Sequence, residues 1–316
     1  MDTCARTTPA RFSLRTAGAI AALVTAAIPA AAPLARAGPL PFTVVETGER
    51  YASLQQAVDA IGGGEGTIAI ASGTYRECAV QEGGSVAYLA AEPGKAALVL
   101  RGRAAKVSGL VFRDMAVPDY NGAGIRLEQG DLTVAQSWFA DSQQGILTAA
   151  DPSGSIAIDK STFSGLGTCE GSGGCAHSIY IGDYGQLRVT RSRFERGAGG
   201  HYVKARAARV EIADSSFDDS AGHGTNYMID LPEGAIGRIA GNWFVQGRDK
   251  ENYSAFIALG AEEISHSSDG LRIAGNDARF VPGLSRSSAF VADWTGADIA
   301  IGDNNLAAGI ARYEKR

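Results

Sequence analysis

Gly200-His201-Tyr202-Val203-Lys204-Ala205-Arg206 gathers an imidazole, a phenol, an ammonium and a guanidinium into one short run. Groups of these types transfer protons near neutral pH and hold anions. Two stretches of similar form flank it, His177-Ser178-Ile179-Tyr180-Ile181-Gly182 before and Asn226-Tyr227-Met228-Ile229-Asp230-Leu231 after. In each, apolar residues alternate as they do in a strand with one buried face. Ile179 and Ile181, Val203 and Ala205, Ile229 and Leu231 are expected to face a core, and Tyr180, Tyr202, Lys204, Arg206 and Asp230 to face out. Glycines crowd the preceding turns, as where a ligand or another backbone comes close.

The whole chain carries a formal charge of −5, and without the four arginines and Asp2 of its first 37 residues it carries −8. That balance argues against nucleic acid or an anionic membrane as partner. A cluster of Lys, Arg, His and Tyr on such a protein points to an anionic ligand, and an extracellular polyuronate meets that description. Cleaving it by β-elimination needs a group that neutralises the C6 carboxylate, a base for the C5 proton and an acid for the leaving oxygen. Lys204 is the candidate base, its pKa lowered by cations such as Arg206, with Tyr180 or Tyr202 as acid. Arg206 or His201 would hold the carboxylate, and Asp230 would orient Lys204 or a histidine. His177, Tyr202, Tyr227 and Arg126 are the expected substrate contacts.

The elements that position these groups repeat. The order apolar, any, apolar, two of any kind, Ser or Asn, any, Phe occurs as Leu132-Val134-Ser137-Phe139, Ile156-Ile158-Ser161-Phe163, Leu187-Val189-Ser192-Phe194 and Val210-Ile212-Ser215-Phe217. It returns as Ile239-Asn242-Phe244 and, more weakly, as Ile299-Ile301-Asn304-Leu306. Successive Phe positions lie 24, 31, 23 and 27 residues apart, a solenoid period with loops of variable length. Each unit is a strand followed by an inward turn whose Ser or Asn stacks from coil to coil, so the chain is expected to be all-β, a single-stranded parallel β-helix. Counting back from each Phe puts Tyr180, Lys204 and Asp230 in register, with Arg126 in the same row.

Ahead of the repeats, Ser53 can cap a short helix with Leu54, Ala57, Val58 and Ile61 on its apolar face, ended by Gly62-Gly63-Gly64. Helix, Gly-rich turn and first strand in this order resemble the N-terminal cap of the pectate-lyase-like superfamily of right-handed β-helices. That resemblance implies a right-handed solenoid whose open end the helix covers.

Residues 1–37 have the form of a signal peptide, with Arg6, Arg11 and Arg15, an apolar run from Ala17 to about Ala32, and Ala35-Arg36-Ala37. The β-helix domain would then be 38–316, in a periplasmic or secreted protein, expected to be monomeric. Cys169 and Cys175 are expected to be bonded in that compartment. Cys78 is left as buried packing. A zinc site lacks ligands beyond His177.

The stretches Gly200 to Arg206, Tyr227 to Gly234 and Leu259-Gly260-Ala261-Glu262 resemble a set found in secreted bacterial right-handed parallel β-helix repeat proteins. More remotely, Lys204 on an outward strand resembles the alginate lyase and chondroitinase B group, which implies a lysine base and an arginine acting beside calcium. Gly199, Gly200, His201 and Tyr202 stand where that group has calcium-binding acids, and Asp230 where it has the arginine, so no cofactor is expected. Asp218-Asp219 and Gly222-His223-Gly224 resemble residues of polygalacturonase-like hydrolases, although both sit in one turn instead of on neighbouring coils. A third reading is a carbohydrate-binding or surface-structural β-helix without turnover, with Trp138, Trp243 and Trp294 stacking on sugar rings.

Overall fold

Alternation and repeat together produce coils of three strands. In the computed structural model, which describes residues 40–316 apart from 72, 95–96 and 171–173, a first face runs from Glu65–Ile70 to Ala300–Ile301. A second begins at the end of Ala104–Arg113 and runs to Asn305–Leu306. The third, of ten strands, runs from Cys78–Gln81 to Ile310–Lys315. Pairing from coil to coil is parallel, and Phe42–Val44 enters antiparallel to Arg50–Tyr51 and Glu65–Ile70. The chain is a parallel β-helix, and Leu40–Arg316 form one unit. The leader read at 1–37 lies outside the described residues.

The repeat residues do what their spacing implies. Phe112, Phe139, Phe163, Phe194, Phe217 and Phe244 stack face to face inside the solenoid with centroids 4.8–4.9 Å apart. At the turn before each Phe, the Ser or Asn accepts a backbone N–H from the preceding coil. Ser137 N donates to Ser161 Oγ at 3.2 Å, Ser161 N to Ser192 Oγ at 3.2 Å, and Ser192 N to Ser215 Oγ at 3.0 Å. Asn242, Asn276 and Asn304 continue the row at 3.0 Å per step. These bonds satisfy N–H groups that the strand ladder leaves unpaired at the corner.

Asn276 marks a coil that the Phe pattern passes over. Leu271, Ile273 and Asn276 keep the spacing, but Ala278 stands where Phe is expected, because Phe256 and Phe290 from the third face fill that level of the core, edge-on to Phe244.

The helix spans Leu54–Ile61, with Ser53 and Gln56 forming a reciprocal capping box and Gly62 ending it. Leu54, Ala57 and Val58 are buried in the main core, with Ile61 packed at its margin. Cys169 and Cys175 form the expected disulfide. Cys78 departs from expectation, being disulfide-bonded where packing alone was foreseen. No described helix is long and apolar enough to cross a membrane.

Candidate functional site

Three strands of the third face, Ile179–Ile181, Val203–Ala205 and Ile229–Leu231, bring the candidate residues together. Tyr180 lies beside Lys204 and Lys204 beside Asp230, the register expected from the Phe count. Ile179, Ile181, Val203, Ala205, Ile229 and Leu231 are fully buried, so the row between them faces outward. A cleft of about 460 Å³ opens over it, lined by His177, Tyr180, His201, Lys204, Arg206 and Glu262 among others.

The cations in this cleft are tightly held. Lys204 Nζ lies 2.6 Å from Glu262 Oε1 and 3.3 Å from Asp230 Oδ2. Arg206 pairs through Nε with Glu233 at 2.6 Å and through Nη2 with Glu262 Oε2 at 2.5 Å. Its Nη1 donates to the Tyr180 hydroxyl, and its guanidinium carbon lies 5.1 Å from the centre of that ring. Burial opposes the charge on Lys204, but Asp230 and Glu262 outweigh it and raise its pKa above the usual lysine value. This overturns the expectation of a lowered lysine pKa. Arg206 is nearby, yet three carboxylates surround the two cations, and Lys204 is a resting ammonium.

Asp230 is the hub beneath the cleft. Its Oδ2 faces both Lys204 and, at 3.4 Å, His201 Nε2, so it orients the lysine and a histidine at once. Its Oδ1 is buried with no hydrogen-bond partner among the described residues. Burial, against the pull of Lys204, raises its carboxyl to about 6. Burial likewise lowers His177 to about 3, and burial with the neighbouring His177 and Lys204 puts His201 well below the usual imidazole range. Both rings are neutral at pH 7 and pack 4.9 Å apart. His177 Nδ1 accepts the His201 backbone N–H at 3.0 Å, which leaves the ring proton on Nε2.

Gly200 explains the glycine-rich turns. Its φ is +61°, and a Cβ there would lie 2.1 Å from the Ala176 carbonyl oxygen. Close approach of the adjacent backbone requires glycine at this position.

Several expected residues fall elsewhere. Tyr202 is 1% exposed and points inward, because it precedes the strand and does not share its alternation. Its hydroxyl donates to Asp219 Oδ1 at 2.8 Å, which removes it as acid or substrate contact. Arg126 keeps the register but is separated from Tyr180 by Leu147, and it pairs with Glu128 outside the cleft. Tyr227 backs His201, with ring centres 5.6 Å apart, and does not line the cleft. Trp138 and Trp243 lie on the second face, and Trp294 packs on Ala258 and its alanine neighbours.

Asp219 is wholly buried, accepting from Tyr202, Thr225, Gly247 N and Lys250 Nζ, the last at 3.2 Å. A carboxylate sealed this way cannot reach a glycosidic bond. His223 is exposed and pairs with Asp249 at 3.1 Å. Asp230 and Glu262 share Lys204, but Asp230 is 3% exposed and lies under it, so these two do not flank an open space as a hydrolase pair must.

The residue that sequence reasoning left without a role is Glu262. The stretch Leu259-Gly260-Ala261-Glu262 stands out in the sequence, but nothing there places its carboxylate on a lysine 58 residues earlier. A cysteine–carboxylate group, Cys169, Cys175 and Glu251, comes close enough to hold a metal ion, but its two sulfurs are already bonded to each other. No family model matches the chain, and neither a curated protein nor a solved structure is significantly similar to it.

Proposed function

We propose that this β-helix cleaves an acidic polysaccharide by β-elimination at the Lys204–Arg206 cleft, outside the cytoplasm, where its disulfide is stable. The observation that carries the reading is the pair of cations bridged by one carboxylate beside a tyrosine hydroxyl on the same guanidinium. A uronate carboxylate held by Lys204 and Arg206 is neutralised, which acidifies the C5 proton next to it. Tyr180 is the proton-transfer group. As its oxygen accepts the C5 proton, its own hydroxyl proton passes to the leaving oxygen; the C5–H electrons form the C4–C5 double bond as the C4–O bond breaks, and the phenol ends as it began. Arg206 Nη1 donates to the phenol oxygen and fixes it in the cleft. Asp230 and His201 act as positioning residues for Lys204.

The test is near-ultraviolet absorbance of the protein incubated with alginate, pectate and glucuronan, with and without calcium. The expected result is a rise from the conjugated double bond that Lys204→Ala and Tyr180→Phe each reduce by about 100-fold or more. A flat trace on every substrate overturns the reading, and reducing ends released without absorbance would replace it with hydrolysis.

A further inference from the structure

Two cations meet three carboxylates in the cleft, so the resting site repels a further anion although it holds the donors that bind one. The three carboxylates are not equivalent. The side chains of Asp230 and Glu233 are 4% and 18% exposed, whereas that of Glu262 is 43% exposed. Glu262 also binds differently, one oxygen on Lys204 and the other on Arg206, as a planar carboxylate joining two donors does. If it leaves, Lys204 keeps Asp230 and Arg206 keeps Glu233, so neither cation is stranded and the charges balance.

We infer that Glu262 is a built-in stand-in for the substrate's carboxylate, bridging Lys204 and Arg206 in the resting protein and rotating away when a uronate group takes its place. The inference rests on the uronate reading above and extends it to how the site discriminates. Only a ligand that brings its own carboxylate restores the ion pairs Glu262 gives up, so neutral sugars cannot open the site. The exchange needs no loop movement. The Glu262 backbone N–H donates to Pro232 O at 3.0 Å, and Ser265 and His266 N–H both donate to Glu233 O, so this segment is fixed and only the side chain turns.

The test compares the wild-type protein with Glu262→Ala and Glu262→Gln by calorimetric titration, with propionate as the minimal carboxylate, glucuronate as the sugar acid and glucose as the neutral control. Both variants are expected to bind propionate and glucuronate about tenfold or more tightly than wild type, with the two ligands competing and glucose binding none of the proteins. Equal or weaker carboxylate binding in both variants overturns the inference. Glu262→Gln preserves volume, so the comparison survives if Glu262→Ala does not fold. Binding is read without turnover. Tighter binding with no polyuronate cleaved would uphold the inference while the lyase reading fails, and cleavage without tighter binding in the variants would refute the inference alone.

Discussion

Asp230 concentrates the electrostatics of the site in one carboxyl. It faces Lys204 and His201, with Glu262 beyond the lysine, and it holds its proton to about 6. Protonation weakens its hold on Lys204, so kcat/KM on a cleaved polyuronate is expected to fall as pH drops through about 6, a limb that Asp230→Asn removes. His177, at about 3, and His201, lower than usual, do not titrate in that range. The stability effect has the opposite sense. A carboxyl whose folded pKa is raised binds its proton more firmly when folded, so its contribution to stability is largest at low pH and is lost as pH rises from about 4 to about 6. Relative to Asp230→Asn, the wild type is expected to lose up to about 3 kcal/mol across that window, measured by urea unfolding. Lys204 illustrates what one-dimensional reading misses. Arg206 is two residues away in sequence, but Glu262, which together with Asp230 raises the lysine's pKa, is brought in by the coil that follows Asp230.

At the scale of strands and turns, most of the fold was legible because side-chain period and corner spacing are local. Each coil of the Phe stack places its Phe five positions after its last first-face apolar residue, as from Val189 to Phe194, and this fixes the register of everything downstream. The misplaced Tyr202 shows the limit. Period 2 applies only inside a strand, and the strand begins at Val203, after the left-handed Gly200 has redirected the chain. The ladder of corner hydroxyls gives a direct check. Ser192→Ala is expected to leave the Ser161 N–H without its acceptor and to cost about 1–3 kcal/mol in urea unfolding. Ser192→Asn, which restores an acceptor of the kind found at Asn242, is expected to recover part of that loss.

For the whole molecule, contacts run from each coil to the next, as in other solenoids, so local changes weaken neighbours more than distant coils. The Cys169–Cys175 bridge closes a loop of only six steps, and its removal in the Cys169→Ser, Cys175→Ser double variant is expected to cost about 2 kcal/mol in urea unfolding. Cys175 borders the cleft, so the same variant is expected to weaken glucuronate binding to Glu262→Gln as well. A double variant with unchanged affinity would show that the bridge serves the scaffold alone.

The corner of hydroxyls and amides never changes length, while the two corners bounding the third face carry the disulfide loop, the turns before His201 and Tyr227, and the segment bearing Glu262. From Ser137 to Asn304, variation in chain length is thus confined to the rims of a single face, where an added residue changes the walls of the cleft and leaves the stacking beneath untouched. Such a molecule can evolve as a handle and blade do: the grip is held constant by its repeat, and the cutting edge can be reshaped by insertion at either rim without altering the register of any strand.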